Sequence, residues 1–207
     1  MRIIKKADIR KNEILDAAEE LFTEHGFDKT STNMILEKAG IARGTLYYHF
    51  KSKEEIMDAL IERMHNDILA AVREKAEMRG VSIYERLQAA FAVMSVKESR
   101  PSLVEHINKP QNALMHQKVE EAMMRDLPPI IAEIVADGIK ENIFDTKYPL
   151  EAVEAIFCYT NFLFSQEEPK RTKEEKIFKS SALIYQMERL LGAKEGSLSY
   201  MMNLTEN

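Results

Sequence analysis

The sequence predicts an all-α protein: a small N-terminal helix-turn-helix domain, one long connecting helix and a larger helical body. Three observations predict it. Only 7 Gly and 6 Pro punctuate 207 residues, too few for a strand-and-turn fold. Apolar residues recur at three- and four-residue intervals along nearly every segment. The stretch from Thr30 to Lys53, TSTNMILEKAGIARGTLYYHFKSK, reads as two short helices around a tight turn.

The elements follow in order. Residues 1–9 form a basic arm, with Arg2, Lys5 and Lys6 against Asp8. Such an arm can enter a minor groove, although a frayed, solvated terminus is the plainer reading. A first helix begins near Asp8 and carries Ile14, Ala17, Ala18, Leu21 and Phe22 on one stripe. Gly26 stops it and Phe27 returns to the core. Ser31 caps the next helix, whose apolar residues are Ile35, Leu36 and Ala39. Gly40 supplies the left-handed residue that ends a helix at little cost, and Ile41 packs back. In the following helix Leu46 and Phe50, four apart, are the buried pair. Arg43, Gly44, Thr45, Tyr47, Tyr48 and His49 then point elsewhere, a face suited to a phosphate-lined groove.

Ser52 caps a long helix expected from Lys53 to about Arg79, because neither Gly nor Pro interrupts it before Gly80. Ile56, Leu60, Met64, Ile68 and Val72 are regularly spaced along it. The body continues with a helix opened by the Ser82-x-x-Glu85 capping box and a short one between Pro101 and Pro110. A helix from about Asn112 to Arg125 is expected next, and another started by Pro128-Pro129 and ending near Asn142. Pro149 to Ser165 holds AIFCYTNFLF, apolar nearly all round, and Thr172-x-x-Glu175 opens the last helix. The expected division is 1–53 for DNA contact, 54–196 for the body and 197–207 as a flexible tail.

Charge agrees with one DNA-facing end. The formal net charge is −5, yet residues 1–53 carry 10 Lys and Arg against 8 Asp and Glu, while residues 54–207 carry 19 against 26. A mildly basic head on an acidic body suits a protein that touches DNA locally rather than coating it. From Lys38 to Lys53 there are four basic residues and no acid. Lys53 stands in the first turn of a helix, where the dipole favours an anion, so a phosphate docking there is the expectation.

The run AGIARGTLYYHFKSKEEI, preceded by AAEELFTEHGFDKTST, resembles the DNA-binding domain of the TetR/AcrR transcriptional regulators from roughly Arg10 to Leu60. The resemblance implies a homodimeric, cytoplasmic repressor of a palindromic operator, released by an apolar or amphipathic small molecule. It implies a DNA-contact set of Ser31, Thr32, Ala42, Arg43, Gly44, Thr45, Tyr47, Tyr48, His49 and Lys53. Arg43, Thr45 and Tyr48 are the expected base readers, with Tyr47, His49 and Lys53 on phosphates. Ala42 departs from the family pattern, which commonly has a serine or threonine capping the reader helix. The body becomes a helical-bundle ligand-binding and dimerisation domain. Its last two long helices would form a four-helix interface between two chains, through Ile156, Tyr159, Leu163, Ile177, Ile184, Tyr185 and Leu191.

Twelve methionines suit an adaptable apolar pocket. Its expected lining is Met64, His65, Phe91, Met94, Met115, His116, Phe157 and Asn161, the last an amide among phenylalanines that wants a partner. Other classes fit poorly. Glu62-x-x-His65 is half of a di-iron carboxylate pattern, and no other histidine has a glutamate three positions before it. No metal, no cofactor and no enzymatic activity are expected, since P-loop, Gly-rich dinucleotide turn and G-x-S-x-G elbow are all absent. The single cysteine, Cys158, reads as a packing residue and allows no intrachain disulfide. The longest apolar run, Ala155 to Phe164, is too short to span a bilayer, so no membrane partner is expected. The rival reading from another class is an all-helical binding or adaptor protein without DNA contact.

Overall fold

Helical periodicity is realised along the whole described chain. The structure, a computed structural model, describes residues 2–94, 101–164 and 172–204, with backbone alone at 2–6, 94, 101, 111, 164, 173, 203 and 204. In chain order the helices are α1 (Arg2–His25), α2 (Thr32–Ala39), α3 (Arg43–His49), α4 (Lys53–Ala76), α5 (Ile83–Met94), α6 (Pro101–Ile107), α7 (Ala113–Lys140), α8 (Pro149–Phe164) and α9 (Lys173–Leu191). There is no strand among the described residues. The chain divides into two compact units, one of Met1–Asp67 with Val96–Val119, the other of Ile68–Ser95 with Glu120–Asn207.

In the first unit the apolar stripe of α1 buries Ile14, Ala18 and Phe22 with Ile35, Leu46, Phe50, Ile56 and Leu60. Each large side chain so buried contributes roughly 1.5–3 kcal/mol. Ion pairs staple α2 and α4 to α1. Arg63 of α4 reaches Asp16 and Glu19, both at 2.6 Å, and Lys38 of α2 reaches Glu20 at 2.5 Å. α6 belongs to the same unit: Ser102 Oγ lies 2.9 Å from Thr23 Oγ1, and Lys109 donates to Asp28 at 2.8 Å. The basic arm is no separate segment, because α1 runs unbroken from Arg2. The side chains of Arg2, Lys5 and Lys6 lie outside the described residues.

In the second unit α8 and α9 pack on each other, and Val153, Ile156, Leu163, Leu183, Ile184 and Leu191 along them are buried. Gly192, at φ +61°, ends α9 with no room for a Cβ beside the Asp145 carbonyl. Asp145 in turn donates its amide to Leu191 O at 2.9 Å.

Two expectations need correction here. The break at Pro128-Pro129 does not occur: α7 is continuous from Ala113 to Lys140. Both prolines deprive carbonyls one turn back of their donors, but Leu127, Pro128, Ile130, Ile131, Ile134 and Val135 are buried around them, and that burial outweighs two lost hydrogen bonds. The segment after residue 197, expected as a flexible tail, is packed over its described part. Leu198 and Met201 are buried, Ser199–Leu204 is a 3-10 turn, and Tyr200 donates its hydroxyl to Tyr84 O at 3.1 Å. The anchor is the buried carboxylate of Glu188, which accepts from the amides of Gly196 (3.0 Å) and Leu198 (2.9 Å).

Candidate nucleic-acid interface

The helix-turn-helix forms as its residues dictate. Ser31 Oγ accepts the Met34 amide at 3.3 Å and caps α2. Gly40 adopts φ +62°, and Ile41 closes the turn by donating to Leu36 O at 3.1 Å. Leu46 and Phe50 fix one face of α3 inward. Ala42 sits at the N-cap with no side-chain bond to the helix, so α3 lacks a stabilisation of about 0.5–2 kcal/mol that a serine or threonine would supply.

The opposite face is open. Arg43, Gly44, Tyr47 and Tyr48 are exposed, and Thr45 and His49 are half-buried. Tyr48 projects furthest, 79% exposed, with its ring edge-on to His49 at 5.0 Å. Nothing lies within 4 Å of where a Gly44 Cβ would stand. Arg43 lies over the Tyr47 ring, 5.5 Å from its centroid. The Tyr47 phenol is held below its ordinary pKa, first by the Arg43 guanidinium beside it and then by the Thr32 hydroxyl. Thr32 in the first turn of α2 and Arg43 and Tyr47 on α3 are thus neighbours on this face. The i, i+4 spacing of Arg43 and Tyr47 was the sequence signal for part of it.

Two of the four basic residues between Lys38 and Lys53 have internal partners. Lys38 is paired with Glu20, whose hydrogen bond raises its pKa. Lys53, expected on a phosphate, donates to Phe27 O at 2.7 Å and Thr30 O at 2.9 Å, with its ammonium 4.1 Å from the centre of the Phe27 ring. Two of its three donors are occupied by the α1–α2 connection. The buried imidazole of His106 also neighbours Phe27, with 4.3 Å between ring centroids.

The remaining expected sites are less united. Met64, His65, Met115 and His116 fall in the first unit, and Phe91, Phe157 and Asn161 in the second. The Met94 side chain lies outside the described residues. Phe91 and Phe157 are ring neighbours at 6.1 Å. Asn161, expected as a buried amide, is instead exposed and donates to Glu120 at 3.2 Å; a helix apolar on nearly every side hides which face is inward. The expected interface residues divide as well. Ile156, Leu163, Ile184 and Leu191 are buried within the chain itself, whereas Tyr159, Ile177 and Tyr185 are exposed. Phe162 and Phe178, 60% and 75% exposed, extend that outward set. Cys158, expected to pack, is exposed beside Tyr159.

Comparison with known proteins places this geometry. Residues 14–60 match the model of bacterial regulatory proteins of the tetR family, and residues 95–186 match the tetracyclin repressor-like C-terminal domain. The uncharacterized HTH-type transcriptional regulator YhgD of Bacillus subtilis is 26% identical over 162 residues, covering 76% of this chain and 84% of its own. The HTH-type transcriptional repressor KstR2 of Mycobacterium tuberculosis is 27% identical over 165 residues, covering 68% and 81%. Among solved structures, RolR in complex with resorcinol shares the fold with a TM-score of 0.58, at 17% identity, over 99% of this chain and 96% of that one. With a helix-turn-helix whose reader face is open and both halves matched by models of one family, this chain belongs to the TetR family of transcriptional regulators.

Proposed function

We infer that the protein is a homodimeric repressor whose two copies of α3 enter successive major grooves of a palindromic operator, and that a small molecule releases it. The observation that carries the reading is the outward face of α3, where arginine, threonine, tyrosines and histidine stand opposite the buried Leu46 and Phe50. Residues 1–53 supply the DNA contacts, and residues 54–196 the effector site and the contact between copies. Such a regulator works in the cytoplasm, beside its operator. No described helix is long and apolar enough to cross a membrane. Support for dimerisation comes from the exposed aromatic and aliphatic side chains of α8 and α9, the kind of surface that protein–protein contacts cover. For the effector, Phe91 and Phe157 supply an apolar wall in the second unit. A cleft of about 340 Å³ lined by Leu69, Arg73, Arg125, Pro129 and Ile130 offers space within the size range of small-molecule sites. An amphipathic ligand suits both.

The test is enrichment of random double-stranded fragments by the purified protein, followed by a gel shift on the winning sequence. A palindromic winner bound by two chains supports the reading. No enrichment at low salt would leave an all-helical binding protein without DNA contact. Small phenols, resorcinol first, are then screened for loss of the shifted band.

A further inference from the structure

His106 stands buried in the last turn of α6, and its polar surroundings admit one protonation state. The Asn112 side-chain nitrogen lies 2.8 Å from the His106 carbonyl oxygen and 3.1 Å from the ring Nε2. Turning that amide over would set two oxygens against each other, so the nitrogen stays and gives one N–H to each acceptor. Nδ1 then holds the ring's proton, buried and with no hydrogen-bond partner among the described residues. A second proton could go only to Nε2, where N–H would face N–H.

The neighbouring charges do not offset this. Lys109, just beyond α6, and Lys53 of α4 oppose a cationic ring, while Asp28 of the α1–α2 connection and Asp58 of α4 favour one. Asp28 is already paired with Lys109 at 2.8 Å, and Glu105 also acts on that lysine. Burial, the largest influence, keeps the imidazole below its ordinary pKa. Against the ring lies Phe27, with centroids 4.3 Å apart. The Phe27 carbonyl and ring both hold the Lys53 ammonium, and the ring is 5.2 Å from that of Phe22 on α1. Lys53 also takes the Thr30 carbonyl at the entry to α2. His106 therefore abuts the point where α1, α2 and α4 are tied together, and all of these residues belong to the first unit.

We propose that His106 is a proton-sensitive latch on the DNA-binding unit. The neutral ring locks α6 and the Asn112 turn against Phe27 and holds the helix-turn-helix in its binding form. The protonated ring breaks the Asn112 bond, leaves Phe27 and lowers affinity for DNA. This rests on the reading of α3 as a major-groove reader. The binding form accepts only the neutral ring, so the latch is closed at neutral pH and opens as pH falls below about 6.5. By linkage, DNA must in turn drive the titration of His106 to still lower pH.

The experiment measures Kd from pH 8 to pH 5.5 for the full-length wild type and His106→Gln on the duplex that the wild type enriches from random fragments. Glutamine keeps a neutral acceptor for Asn112 and does not titrate. Taking the ratio of wild type to variant at each pH cancels the charge that other groups, His49 among them, gain in acid. That ratio is expected to rise several-fold over the range, by about tenfold per pH unit at most. The imidazole C–H signals of His106, identified by their loss in His106→Gln, are followed by NMR in wild type and Asn112→Ala. Their midpoint should fall when the duplex is added and rise in Asn112→Ala, which lacks the opposing N–H. A flat ratio, or a midpoint that neither DNA nor Asn112→Ala moves, overturns the proposal. A wild type that enriches nothing overturns the reader assignment and the DNA half of this inference with it. Backbone amides of residues 27–30 that ignore the His106 midpoint in the free protein overturn the latch itself.

Discussion

Lys53 shows how a residue chosen for one partner finds another. Its ammonium bridges the carbonyls of Phe27 and Thr30 and covers the Phe27 ring, so it pins the turn that leads into α2. Hydrogen bonds made by a charged donor contribute about 1.5–3 kcal/mol when intact, with solvent access here reducing the figure. Lys53→Ala is therefore expected to lower stability by roughly 1–2 kcal/mol in urea unfolding. The salt slope of DNA binding should stay as in the wild type; a fall of about one unit would show that the third donor does reach a phosphate. The sequence made Ser31, Gly40, Leu46 and Phe50 legible because their work is local: a cap, a left-handed turn and an i, i+4 pair. The internal partners of Lys53 were not legible, since its acceptors lie more than twenty positions earlier in the chain and a carbonyl leaves no mark on composition. Asn161 and Ile156 failed for another reason. On a helix apolar nearly all round, periodicity has no phase, and only packing decides what faces out.

At the scale of elements, the same contrast separates α2 and α3 from α6 and α7. Capping boxes at Ser82 and Thr172 were read correctly because both partners are three residues apart. The continuity of α7 through two prolines was not, since it depends on burial supplied by other helices. α6 illustrates a tertiary constraint with a measurable consequence. Asn112 donates its amide to His106 O at 2.8 Å, and the same nitrogen lies 3.1 Å from His106 Nε2. A carbonyl can only accept, so that nitrogen is the donor and Nε2 must accept, which leaves the proton on Nδ1 and the ring neutral. Burial first, and then the cation of Lys109, keep the imidazole pKa below its ordinary value; Lys53 also opposes protonation, while Asp28 and Asp58 favour it. The unfolded chain binds this proton more readily, so the contribution to stability is full above about pH 6.5 and falls as pH drops below it toward the folded pKa. His106→Gln should lower the unfolding temperature at pH 8 and narrow its gap to the wild type at pH 5.5. A gap that is the same at both values would mean that His106 does not titrate differently on folding.

At the scale of the whole molecule, the proposed function requires two copies and two states. Phe162 and Phe178 stand outward with Tyr159, Ile177 and Tyr185. Phe178→Glu should therefore give a monomer by light scattering while leaving the helical content unchanged, and operator affinity should collapse as the second half-site is lost. The fold supplies a route for control as well. Both α4 and α7 start in the unit that holds the reader and finish in the other, which is the route proposed here for a ligand-driven change. A dimer on B-DNA must present its readers about 34–36 Å apart, a match that a small rotation of a long helix can spoil. For release, the effector must bind the DNA-incompetent state more tightly, and a coupling of about 1–3 kcal/mol lowers operator affinity 5–150-fold. Linkage makes the effect reciprocal, so operator DNA must weaken effector binding by the same factor. Calorimetric titration of the effector into free protein and into the protein–operator complex measures both sides of that cycle. Equal affinities would exclude ligand-driven release and leave control to abundance or to a protein partner.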